Sequence, residues 1–209
     1  MSYRQDCVRT GLFLLIVDVC FAWSSTTLAL PNLKMLAPKS IHNTADCQKP
    51  PQHFIQNSSG LKVDRLLVLK STRELFLLNQ GQIIKKYHVS MGFGFALGPK
   101  LQDGDGRTPE GVYRIVARQT QSHYHLALRL SYPEPSDIEY AAENGLRPGS
   151  DIMIHGLPDA PVDQLDPEQI KKIHGKQNWT RGCIAVTNTE IEEIFSRVEV
   201  GTFIEICPL

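Results

Sequence analysis

Leu75-Phe76-Leu77-Leu78-Asn79-Gln80-Gly81-Gln82-Ile83-Ile84 is two apolar runs broken by a polar, glycine-bearing turn. Apolar runs of this length on either side of such a break predict a β-hairpin, with the glycine in the turn. Working outward, Asp64 to Leu69 is an apolar strand before the hairpin, and Ile83 to Val89 is its returning arm. Gly111 to Val116 and Leu126 to Leu130 read as further strands. Asp151-Ile152-Met153-Ile154 is a short buried strand that delivers His155, and Val200 to Ile206 closes the chain. Between them lie three helix signals. Ile138 to Asn144 is stopped by Gly145, Asp166-Pro167-Glu168-Gln169-Ile170 carries proline in the first turn, and Thr187 to Glu190 caps the helical spacing of Ile191 to Phe195. The predicted fold is mainly β with short peripheral helices.

The 209 residues suit one globular domain with extra N-terminal material. A hydrophobic fraction of 42% allows a sizeable core. Lys+Arg and Asp+Glu both number 22, so the net charge is zero, and no basic run offers a footprint for nucleic acid. Residues 1–30 hold Arg4 and Arg9, the apolar run Gly11 to Val17 and small residues near Thr27-Leu28-Ala29. That pattern predicts a secretory signal, with an uncleaved anchor as the alternative; Asp18 interrupts the run. Either places the protein in the periplasm or cell envelope. Residues 31–60 are polar and proline-bearing and read as a loose leader, and 61–209 as the domain proper.

The cysteines are Cys7, Cys20, Cys47, Cys183 and Cys207. Signal removal takes the first two and leaves an odd number, which in an exported protein points to a free thiol. Cys47 and Cys207 can pair and leave Cys183 free; three free thiols is the other reading.

Cys183 lies in Trp179-Thr180-Arg181-Gly182-Cys183-Ile184-Ala185-Val186-Thr187-Asn188. A thiol becomes a useful nucleophile at neutral pH when a histidine can take its proton. Gly182 removes a side chain beside the sulfur and so opens a path for a substrate carbonyl. Backbone N–H groups near Gly182 and Cys183 suit an oxyanion, and the charge of Arg181 favours thiolate. A buried structural cysteine fits the local sequence as well. Of the histidines, His155 ends a strand next to Gly156 and is the preferred base; His174 closes a polar helix. His123 and His125 flank Tyr124 on a strand-like stretch that puts both on one side; a metal pair is conceivable there, and surface or core packing is the ordinary role. The cysteines give no zinc-ligand set. Asp103-Gly104-Asp105-Gly106 reads as a turn, not a calcium loop.

Four pieces in order then carry a resemblance: Val89-Ser90-Met91-Gly92; Gly98-Pro99-Lys100 with Gly104 to Tyr113; Ile152-Met153-Ile154-His155-Gly156; and Thr180 to Asn188. From Val63 to Pro208 the chain resembles the L,D-transpeptidase catalytic domain, also called the YkuD domain. It is nearest a murein transpeptidase-like subgroup with a Trp-Thr-x-Gly-Cys-Ile-Ala-Val-Thr-Asn motif. The resemblance implies a β-sandwich, Cys183 as nucleophile and His155 as proton donor and acceptor. It makes Gly182, Thr180, Arg181 and Gly156 the expected substrate or oxyanion positions. It implies a diaminopimelate-containing stem peptide of peptidoglycan as substrate, a wall-linked protein as a further partner, a monomer, and no metal or organic cofactor. Many members have serine and histidine where this chain has Thr180 and Arg181, and a shorter spacing than that from His155 to Cys183. The extra length holds the helix from Leu165 to His174. Transfer to an amine is the expected outcome. Hydrolysis of peptidoglycan linkages is the alternative, and a non-catalytic wall-binding module is the reading from another class.

Overall fold

The computed structural model describes residues 45–162 and 164–209; the predicted signal or anchor lies outside them. Among the described residues no helix is long and apolar enough to cross a membrane. The expected hairpin is present: β2 (Glu74–Asn79) pairs antiparallel with β3 (Gln82–His88). Gln80 and Gly81 between them have φ of 49° and 75°, the paired positive values of a tight hairpin turn. β1 (Arg65–Leu69) lies beside β2 and pairs on its other edge, in parallel, with β8 (Phe203–Cys207).

The rest of the sheet grows from β4 (Gly111–Ser122). Its first four residues pair with β8, and from Ile115 onward it pairs with β5 (His125–Leu130). β6 (Met153–His155) adds to β5, and β7 (Ile184–Ala185) adds to β6 in parallel. The order is β3-β2-β1-β8-β4-β5-β6-β7. The two halves share one core, with Leu66, Val68, Leu75 and Leu77 from the first and Leu128, Leu130, Ile154 and Ile184 from the second. The two outer strands of this order also meet. Ser90, just past β3, exchanges both backbone hydrogen bonds with Ala185 of β7, at 3.0 and 2.7 Å.

Short helices decorate this sheet: α1 (Ala45–Gln48), α2 (Pro135–Glu143), α3 (Pro167–Ile173) and α4 (Asn188–Arg197). The last three follow the sequence signals. Asp166 and Thr187 each accept from the backbone N–H three residues on, completing capping boxes with Gln169 and Glu190.

Two expectations need correction. His123 and Tyr124 form the turn between β4 and β5, and His125 has φ of 68°, so the two histidines do not line one face of a strand. His125 instead reaches Glu192 at 2.7 Å. Nor is the described part of the leader loose. Phe54 bridges to Ile83, and Cys47 is joined to Cys207 by a disulfide, leaving Cys183 as the free thiol of the described residues.

Candidate active site

The β6–β7 pairing sets the site. Ile154 is opposite Ile184 and His155 opposite Ala185. Side chains alternate along a strand, so His155, Ala185 and the position of Cys183 share one face. Ile154 and Ile184 take the other and enter the main core. The Cys183 sulfur lies 3.5 Å from the Asp151 carbonyl oxygen, alongside the start of β6. Cys183 is half-buried and His155 is 3% exposed.

His155 Nδ1 is 2.7 Å from the carbonyl oxygen of Gly156. A carbonyl only accepts, so Nδ1 carries the proton and Nε2 is left as the basic nitrogen. Burial holds the imidazole down at about 4 against an ordinary 6.5, so it is neutral near pH 7. Burial likewise pushes the Cys183 thiol up to about 11. A backbone hydrogen bond from Met153 and, after it, the charge of Lys100 oppose this; Arg181 lies exposed. Burial thus favours the neutral form of both the thiol and the imidazole.

Gly156 is buried and held by its backbone. Its N–H donates to the carbonyls of Tyr124 and Leu126, at 3.0 and 3.2 Å, and its carbonyl holds His155. A Cβ there would sit 2.6 Å from Asn188 Oδ1, the atom that accepts from Leu157 N–H at 2.7 Å. Gly182 is also a site of close packing. With φ of 134°, a Cβ on it would meet the Arg107 carbonyl oxygen at 2.6 Å and Ile152 at 3.1 Å. The glycine thus admits the close approach of another backbone segment. The Gly182 N–H donates to Thr180 Oγ1 at 3.2 Å, and that hydroxyl donates to the Cys183 carbonyl at 2.7 Å. Thr180 therefore braces the turn carrying the nucleophile. It is 4% exposed.

Three loops interlock here. A Cβ on Gly92 would lie 2.2 Å from the Gly106 carbonyl oxygen, and one on Gly106 would strike the Phe93 ring. Gly92 N–H donates to Thr108 Oγ1 at 3.0 Å, and Phe93 N–H to the Thr180 carbonyl at 2.9 Å. Lys70 ties the middle loop to β1. It is fully buried, with Nζ 2.6 Å from Glu110 and within 3.1 and 3.4 Å of the Gly98 and Thr108 carbonyls. Asp105 accepts from the backbone N–H of Leu101, Gln102 and Arg107 and from Lys100, so this loop is a braced turn, as expected. Tyr113 is buried, its hydroxyl donating to the Glu110 carbonyl at 3.1 Å, and supports the fold.

The segment between His155 and Cys183 builds a second, smaller core over this face. Ile170, Trp179 and Ala185 are buried together, with Tyr124, Leu157, Val162, Leu165 and Ile173 packed around them. The roles of Lys70 and Tyr124 carry no local signal in the sequence. Asn188 and Trp179 lie inside the cysteine motif, but their neighbours come from elsewhere in the chain. Among the described residues, the one group able to hold a metal is Cys47, Glu205 and Cys207, and its two cysteines are joined to each other.

The sequence matches the family model "L,D-transpeptidase catalytic domain" (YkuD) over residues 63–206. It is 31% identical over 121 residues to "Putative L,D-transpeptidase YafK" of Escherichia coli, in strain K12 and in O157:H7. The match covers 57% of this chain and 39% of each relative, so the chain spans well under half of their length. Among solved structures, the helical cell shape determining protein Pgp2 of Campylobacter jejuni overlaps 70% of this chain and 48% of its own. Its TM-score is 0.49, at 23% identity. Bd1075 of Bdellovibrio bacteriovorus overlaps 74% of this chain and 50% of its own, with TM-score 0.44 at 24% identity. With its four ordered motifs inside the matched span, the chain belongs to the L,D-transpeptidase catalytic domain family.

Proposed function

We propose that this protein is an exported cysteine acyltransferase that acts on peptidoglycan stem peptides, with Cys183 as nucleophile and His155 as its base. The observation that carries the reading is the free thiol of Cys183 on the same strand face as a neutral His155. The Gly156 carbonyl fixes the tautomer of that histidine. The sulfur attacks the carbonyl carbon of the scissile amide while its proton passes to His155 Nε2. The Cys183 backbone N–H is the proposed donor to the developing oxyanion; the Gly182 N–H is already given to Thr180. The tetrahedral adduct collapses to a thioester, and the C–N bond breaks as the imidazolium returns its proton to the leaving amine. An incoming amine then loses a proton to His155, attacks the thioester and releases the thiol. Water in its place gives hydrolysis.

Family membership supports peptidoglycan as the substrate class. The Cys47–Cys207 disulfide supports an oxidising compartment, and with it export. The test is incubation of the purified protein with diaminopimelate-containing muropeptides, with and without an added amine, followed by product mass. Loss of the terminal residue with amine incorporation is expected, and Cys183→Ala abolishes both. Turnover retained in a folded Cys183→Ala protein would falsify the mechanism.

A further inference from the structure

The proposed base is gripped by two aromatic rings, neither of which takes part in the steps above. The Tyr124 ring lies 4.2 Å from the His155 imidazole, centroid to centroid and tilted by 38°. The Trp179 ring stands at 5.9 Å, nearly edge-on at 66°. Trp179 is 8% exposed, and its indole Nε1 has no hydrogen-bond partner among the described residues. Packing, not a hydrogen bond from the indole, therefore holds this ring beside the imidazole.

Both rings are fixed by backbone that also fixes the site. The Tyr124 carbonyl accepts from Gly156 N–H, so the ring is tied to the residue after His155. Trp179 lies between two anchored neighbours. Asn178 Oδ1 accepts from Met91 N–H at 2.9 Å, and Thr180 N–H donates to the Met91 carbonyl at 3.1 Å. Just upstream, Gly175 N–H donates to Ser90 Oγ at 2.9 Å, His88 Nε2 to the Gly175 carbonyl at 2.8 Å, and Arg73 to the Lys176 carbonyl at 2.8 Å. The segment carrying Trp179 is thus bolted to the strand edge beyond β3.

We propose that Trp179 and Tyr124 are positioning residues, an aromatic clamp that holds the His155 ring in the one orientation that keeps Nδ1 on the Gly156 carbonyl and leaves Nε2 as the basic nitrogen. This rests on the reading of His155 as the base. The Gly156 carbonyl fixes one ring nitrogen, Tyr124 covers a ring face and Trp179 blocks an edge, so a ring flip must displace an anchored aromatic. The clamp also keeps water from the imidazole and so favours its neutral form. The other groups facing this pocket are few. His174, at the end of α3, acts on His155 and itself feels Glu190 of α4 and His88 of β3. Asp151 and Lys100 act on the Cys183 thiol.

The experiment uses the full chain as Cys183→Ala, with and without Trp179→Phe, Trp179→Ala or Tyr124→Ala. The His155 ring is followed by NMR against pH, and kcat and KM are measured on muropeptide in the Cys183 forms. Trp179→Ala is expected to raise the His155 midpoint by about one pH unit or more toward the ordinary value. It should lower kcat by about tenfold or more with KM little changed, while Trp179→Phe behaves as the unmutated chain. A folded Trp179→Ala protein with an unmoved His155 midpoint overturns the clamp, because a purely structural tryptophan would lower stability alone. Should the alanine variants not fold, the Trp179-intact chain decides. NOEs from both rings to His155 and slow exchange of its Nδ1 proton support the clamp, and exchange at the solvent rate overturns it. The NMR arm is independent of turnover, so failure of the clamp is distinguishable from failure of the acyl-transfer reading.

Discussion

His155 owes its low proton affinity to burial, and that has a sign that can be checked. The unfolded chain protonates this histidine as pH falls through 6.5, while the folded protein resists until about 4. The unfolded state then binds more protons, so stability falls with pH in that window. The contribution is complete above pH 6.5 and is lost as pH falls through about 4. It amounts to about 3 kcal/mol, from roughly 1.4 kcal/mol per pH unit. Thermal melts of the native protein and His155→Gln between pH 7 and 4 check this; the native curve should fall more steeply. Activity follows the same group. Because the base is already neutral, kcat/KM is expected to hold down to about pH 5, where an ordinary imidazole is largely charged. An acid limb centred near 6.5 would show that His155 is solvated or is not the base. The motifs single out Cys183 and His155 as the proposed pair, because such motifs are local strings. They are silent on Gly156 as the orienting carbonyl and on Gly182 as the point where the Arg107 backbone closes in, since both depend on remote contacts.

At the scale of elements, the N-terminus of α4 supports β6. Asn188 Oδ1 accepts from Leu157 N–H and lies against Gly156, the residue whose carbonyl holds His155. Asn188→Ala leaves that N–H unpaired and frees the loop after β6. The expected cost is about 1–3 kcal/mol in stability and about tenfold or more in kcat, whereas Asn188→Asp keeps the acceptor and most of the activity. Urea melts and muropeptide kinetics on both variants give the answer, and equal kcat in Asn188→Ala and native protein would discard this role. Helices α3 and α4 are legible in the sequence because Asp166-Pro167 and Thr187-x-x-Glu190 state their own start within one turn. The β4–β5 turn is not. His125 has positive φ without being glycine, so its strand-like surroundings hide the reversal that puts Tyr124 beside His155.

For the molecule as a whole, a ladder of eight strands is bridged between its outer strands and cross-linked to the leader at β8. The Ser90–Ala185 bridge joins the outer strands of the sheet, and Cys47–Cys207 ties the leader to β8 across 160 residues. Cross-linking so large a loop restricts the unfolded chain, and its removal typically costs about 2–5 kcal/mol. Cys47→Ser is expected to lower the melting temperature, and equal melting temperatures would mean the disulfide contributes no stability. Turnover should persist at temperatures where the variant stays folded, since the disulfide lies outside the reacting groups. Sequence alone determined the family, the hairpin, the capped helices and the residue proposed as nucleophile, because turns, caps and motifs are short-range patterns that each segment carries within itself. The tertiary structure alone decided the protonation states of His155 and Cys183, the purpose of the site glycines, the aromatic rings around His155 and the partner of Cys47. Burial and close packing arise between residues far apart in the chain, and no local pattern records which of them will meet.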